Sequence, residues 1–216
     1  MGYSASGLAV DSQGNVWVTN KLGSSPRGAL KFAEMLAAFK FDFDGVTDAG
    51  ERATRVLIPA LAAQKPGFES GGSITVLRPD GTEAPFSPIS GNGLAAPWTA
   101  SVDGNDNIWI PNFNSWSAGI VELCGFRTEH CPPGVKTGEA ISPPSGYVGG
   151  GLQLQVDLGI GPAGDVWVTN NWQNYTDAFG KVDEALQTQG AGQGVVVFYG
   201  MAKPVKTPLI GPPRPY

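Results

Sequence analysis

Two cysteines, a single histidine and a set of asparagine and aromatic residues carry most of the chemistry available to this sequence. Cys124 and Cys131 lie in "ELCGFRTEHCPPG", with six residues between them and a turn at the centre. This spacing can bring the two Cα atoms within bridging range, and such a bridge persists in an oxidising compartment; two free buried thiols are the alternative. Four ligands are normally needed for zinc, and only His130 lies nearby, so no zinc site is expected. "FDFDGVTD" (41–48) places Asp42, Asp44 and Asp48 around a glycine, but it lacks the regular ligand spacing and terminal Glu of a calcium loop and reads as a solvated turn. No metal and no cofactor are therefore expected.

The remaining candidates are Asn20, Asn112, Asn114, Trp116, Asn170, Asn171, Trp172, Asn174 and Tyr175. Amide side chains both donate and accept, and flat aromatic faces stack on the apolar faces of rings. Together they suit a glycan, another small polar ligand or a protein surface. For Asn20, Asn112 and Asn170 the structural alternative is a side chain that ends a strand by bonding its own backbone. No catalytic residues are expected. G-x-S-x-G, H-E-x-x-H and P-loop signatures are absent, and Asp183 and Glu184 read as a solvated helix face.

The elements that position these residues come from a repeat. "GLAVDSQGNVWVTN" (7–20), "WTASVDGNDNIWIPNF" (98–113) and "DLGIGPAGDVWVTNNW" (157–172) align on Trp17, Trp109 and Trp167, which are expected in the core. Each holds two alternating strands around Asp, Gly and Asn residues, which supply the positive φ and the local hydrogen bonds of a tight hairpin. After each hairpin comes a second strand pair, in 71–91, 118–146 and 192–213. Four strands per unit, A to D, repeated along the chain, is the pattern of a β-propeller blade. The expected fold is all-β: one partial propeller over 1–216, with blades at about 7–91, 98–146 and 154–213. Inserts at 21–70 and 173–192 fall in B–C connections, which emerge on one face. Helical spacing predicts helices over about 26–40, over 47–64 with a break near Pro59, and a short one over 176–189.

Composition agrees with a folded β-protein. The chain is 41% hydrophobic and 15% charged, and its Gly 31 and Pro 18 punctuate short Val/Ile/Trp/Thr runs. A net charge of -5 supplies no basic patch, which argues against nucleic-acid binding. No apolar run reaches the roughly 20 residues of a membrane span.

The three hairpin phrases resemble the NHL-type repeats of bacterial streptogramin-lyase-like propellers, a group with secreted members. The resemblance covers nearly all of the chain outside 21–70 and 173–192. It implies a lyase chemistry with a histidine base and a magnesium ion. Here the one histidine, His130, falls in the cysteine loop on the C–D side, away from the face that would hold the base. An extracellular or cell-envelope location is expected, with any signal peptide lying outside this sequence. Such propellers close with six or seven blades, so three blades leave two open edges, to be met by further blades of a longer chain or by a second copy. The leading expectation is a non-catalytic extracellular binding module using the B–C face. A metal-assisted lyase or hydrolase and a self-associating assembly unit are the alternatives.

Overall fold

The computed structural model describes residues 5–21, 72–113, 119–152, 154–170 and 194–205. The expected helices at 26–40, 47–64 and 176–189, the Asp42/Asp44/Asp48 turn and the Asp183/Glu184 pair lie outside them. The described chain forms three antiparallel sheets. The first is β1 (Ala5–Val10), β2 (Val16–Asn20), β3 (Ser73–Leu77) and β4 (Ile89–Ser90), paired in that order. The second is β5 (Ser101–Val102), β6 (Ile108–Ile110) and β7 (Val121–Leu123), and its outer edge is met by single bridges from Ala140 and Tyr147. The third is β8 (Gln155–Ile160), β9 (Val166–Asn170) and β10 (Gly194–Phe198). The sheets follow one another as consecutive meanders, as in a partial β-propeller.

Each hairpin closes by the same chemistry. Asp11, Asp103 and Gly161 each donate a backbone N–H to the residue four positions on, and each accepts one from the residue three positions on. Gly14, Asp106 and Gly164 occupy the left-handed turn position with φ of 82°, 64° and 85°. Asp tolerates this conformation better than most side chains. At Asp106 the choice serves a second purpose, because its carboxylate accepts Ser12 Oγ–H and, at 3.1 Å, Ser12 N–H from the neighbouring sheet's turn.

The first two hairpins add a buried carboxylate clasp. Asp11 Oδ1 accepts Gln13 and Asn15 N–H at 3.0 and 2.9 Å, while its Oδ2 accepts Trp17 Nε1–H at 3.1 Å. Asp103 does the same for Asn105, Asn107 and Trp109, and also accepts Lys203 N–H at 3.2 Å. With the indole N–H satisfied, each tryptophan can bury its whole ring. Trp17 and Trp109 are 0% and 1% exposed.

Trp167 departs from expectation and is 50% exposed. Two causes are visible. Gly161 provides no carboxylate for its indole, the acid having moved to Asp165, where it accepts Gly200 N–H at 2.8 Å. The other cause is position: each buried tryptophan packs into the seam with the next sheet, and no described sheet follows the third.

The two seams form the core. Trp17, Ile74 and Val76 pack against Ala100, Ile108, Ile110, Val121 and Leu123, and Phe86 and Phe126 lie 6.3 and 5.8 Å from the Trp17 ring. Trp109 and Ile120 pack against Leu158, Val166 and Val168. At the first seam the inner strands meet closely, since a Cβ on Gly7 would lie 2.7 Å from Thr99 Cα. Only glycine fits that crossing.

One buried acid sits beside the second seam. Glu122 accepts the Tyr147 hydroxyl proton at 2.7 Å and Asn107 Nδ2–H at 3.0 Å, and Tyr147 stacks on Trp109 with ring centroids 5.5 Å apart. Burial pushes the Glu122 carboxyl above the ordinary glutamate range, and burial with the Glu122 bond pushes the Tyr147 phenol up as well. A raised folded-state carboxyl makes its full contribution to stability below the unfolded glutamate range and loses it as pH rises through the folded value. Wild-type stability relative to Glu122→Gln should therefore fall as pH rises from about 4.3, the unfolded glutamate value, and level off above the folded value. Urea unfolding of both proteins from pH 4 to 8 checks this; a constant difference would show that Glu122 does not titrate differently on folding.

Candidate functional site at the B–C end of the sheets

Strand register places Asn20 opposite Ser73, Asn112 opposite Pro97, and Asn170 opposite both Gln155 and Gly194. All three asparagines therefore stand at the end of the sheets from which the B–C connections leave. They are nonetheless buried. Asn112 accepts Ala95 N–H at 2.9 Å and donates to the Gly93 and Gly119 carbonyls at 2.8 and 2.9 Å, while its backbone N–H bonds Gln155 Oε1 at 3.0 Å. Asn170 Nδ2 donates to the Gly151 carbonyl at 2.8 Å. Asn20 Nδ2 lies 3.0 Å from Thr75 Oγ1. The structure thus uses these amides as clasps: Asn112 and Asn170 reach the segment that enters their own sheet, and Asn20 reaches the adjacent strand. Such clasps set where the B–C connections begin. Asn114, Trp116, Asn171, Trp172, Asn174 and Tyr175 lie outside the described residues.

Between the first two sheets, at this same end, lies a side-chain group that sequence reasoning overlooked. Trp98 lies three residues before the start of β5, packs on Phe113 at 4.6 Å between ring centroids, and carries Lys21 Nζ 3.6 Å from the centre of its ring. The Trp98 backbone is pinned from both sides: its N–H bonds the Pro111 carbonyl at 3.2 Å, and its own carbonyl lies 3.0 Å from Thr19 Oγ1. Burial of Lys21 lowers its pKa. Among the described residues no carboxylate is paired with it, so the ring face is the electrostatic partner in view. A partly desolvated cation over a half-buried indole can receive an anionic group at the ammonium and an apolar ring face beside the aromatic surface. The signal was present in the repeat itself, where the other units hold Ser6 and Val156 at the position of Trp98.

The opposite end of the sheets holds the cysteine loop. Cys124 and Cys131 form a disulfide with Cα atoms 5.8 Å apart, enclosing a single 3-10 turn at Thr128–His130. His130 Nδ1 lies 3.2 Å from the Asn105 carbonyl in the β5–β6 turn, which puts the ring at the end away from the B–C connections. A groove of about 520 Å³ runs beside this loop, lined by Phe86, Thr128, Val135, Lys136 and Thr137. Among the described residues no group of three or more His, Cys, Asp or Glu is placed to hold a metal ion.

No protein-family profile matches the chain, and no curated protein does. Among solved structures, one X-ray structure of a protein provisionally described as a gluconolactonase is similar at 14% identity and a TM-score of 0.37. The match covers 76% of this chain but 41% of that one, so the chain spans well under half the length of the structure it resembles.

Proposed function

We propose that this chain is a non-catalytic extracellular binding module that takes an acidic saccharide at the B–C end of its sheets. The observation that carries this reading is Lys21 held over Trp98, on a backbone fixed by neighbouring strands. Lys21 and Phe113 already lie against the indole, so the apolar face of a sugar ring would lie along the part of the half-buried ring they leave uncovered, and a cation with reduced hydration favours a carboxylate more strongly than a fully solvated lysine would. The B–C connections leave the sheets at this end from buried clasps, so a ligand there would meet positioned loop roots. The Cys124–Cys131 bridge is compatible with an oxidising, extracellular setting. No helix among the described residues is long and apolar enough to cross a membrane.

The test is calorimetric titration with an oligogalacturonate and, in parallel, with a neutral oligosaccharide of equal length. The acidic probe is expected to bind more tightly, with affinity falling as salt is raised. Trp98→Ala and Lys21→Gln should each weaken binding about tenfold, corresponding to the ~1–2 kcal/mol typical of such contacts. Circular dichroism should remain unchanged in both variants. Binding indifferent to both substitutions, or no binding of either probe, would overturn the reading.

A further inference from the structure

Independently of the B–C end, the two outermost sheet faces point to a partner. The repeat aligns Leu8 and Val10 of β1 with Ala100 and Val102 in the second sheet and with Leu158 and Ile160 in the third. In the second and third sheets these positions lie in or against the two seams, each receiving the tryptophan face of the preceding sheet. Among the described residues no such face meets Leu8 and Val10, which are 62% and 55% exposed. The same holds one strand further out. Val16 and Val18 are only half-buried, whereas their counterparts Ile108 and Ile110, and Val166 and Val168, are fully buried.

The third sheet shows the complementary half of this interface. Trp167 pairs with Val197, and Thr169 with Val195, as Trp17 pairs with Val76 and Thr19 with Ile74. Opposed residues in an antiparallel pair share a face, so Trp167, Val195 and Val197 occupy the places of Trp17, Ile74 and Val76. The latter three are wholly buried in the first seam, while Trp167 and Val195 are 50% and 58% exposed. The asparagine clasps add an independent observation. Asn112 and Asn170 bond the segment arriving from the preceding sheet. Asn20 makes no such bond among the described residues, and its Oδ1 is buried without a hydrogen-bond partner.

We infer that the tryptophan face of the third sheet seats on the Leu8/Val10 face of the first sheet in a second copy of this chain, repeating the seam already formed twice within it. A second copy is the occupant because one molecule carries both halves of the interface, in the orientation its own seams use. Two copies joined reciprocally make a ring of six sheets, within the four to eight blades over which propellers close, and leave neither apolar face exposed. Each seam joins unlike faces, but because Trp167 of each copy meets Leu8 of the other, the closed pair is two-fold symmetric and its interface as a whole is isologous.

Light scattering after size exclusion should find a mass twice 22.5 kDa for the 216-residue chain. Trp167→Glu and Leu8→Asp alter opposite halves of the same seam at exposed positions, and each should raise the dissociation constant by at least about a hundredfold, with circular dichroism unchanged. Mixing the two variants provides the decisive arm. A pair holding one of each retains one unaltered seam, formed by Trp167 of the Leu8→Asp copy and Leu8 of the Trp167→Glu copy. The mixture should therefore recover dimers that neither variant forms alone. A monomeric wild type would overturn the inference and assign these faces to further sheets of a longer chain. A wild-type dimer broken by only one of the substitutions would overturn it in favour of a like-with-like contact, and open-ended polymers would overturn the closed ring.

Discussion

Asn112→Asp is expected to lower the unfolding free energy by about 3–5 kcal/mol, the range for an uncompensated buried charge. The substitution changes almost no volume, so the effect isolates electrostatics. In the native protein one end of the amide accepts Ala95 N–H, while the other donates to the carbonyls of Gly93 and Gly119. A carboxylate retains the first contact and turns the other two into oxygen facing oxygen, in a site with no access to water. Asn112→Ala, which leaves the same groups unpaired without adding a charge, should cost less, about 2 kcal/mol. Urea denaturation of the two variants against wild type measures the difference. Equal losses would show that water reaches the clasp.

Asp103→Ala is expected to cost about 3 kcal/mol, and at 2–4 °C per kcal/mol for a chain of this size to lower Tm by roughly 6–12 °C. Its carboxylate gathers four donors from three places: the turn at Asn105 and Asn107, the Trp109 indole, and Lys203 from the segment after β10. Asp11 holds the equivalent turn and indole, and its fourth donor is the side-chain amide of its own Asn15, at 2.9 and 3.1 Å, in place of a distant segment; a partner so near in sequence orders less chain than Lys203 does, so Asp11→Ala should cost less. Differential scanning calorimetry of the two variants makes the comparison. A larger loss at Asp11 would mean that the local Asn15 amide contributes more than the tie to Lys203.

These two clasps also mark how far the sequence could be read. The hairpins were legible because their determinants are local: Asp, Gly and Asn at fixed offsets set the turn, and alternation sets the strand. The disulfide was legible for the same reason, since a seven-position separation around a turn limits how far apart two Cα atoms can be. Trp17 and Trp109 were legible as core, but Trp167 carries the same local pattern and is half exposed, because its burial depends on a neighbour that pattern cannot specify. The asparagines show a related limit. Their recurrence at the ends of second strands was plain, but that Asn112 reaches Gly93 and Ala95, on the segment joining the first sheet to the second, is a non-local fact. Lys21 and Trp98 lie in different repeats and come together only because the inner strands of the first two sheets cross at Gly7 and Thr99. The candidate pair was therefore visible only as a break in the repeat.

The seams have a consequence for how the chain is made. Each joins a finished sheet to the one that follows it in the sequence, so the first sheet can complete its hydrogen bonds at Ser90 and still hold Trp17, Ile74 and Val76 without a cover. That cover is the second sheet, which is not complete until Leu123 has left the ribosome. At about 5–20 residues per second, an apolar face waits on the order of seconds on each nascent chain. The same wait recurs for Trp109 until β9 arrives, so vulnerability to mispairing travels along the message one sheet at a time.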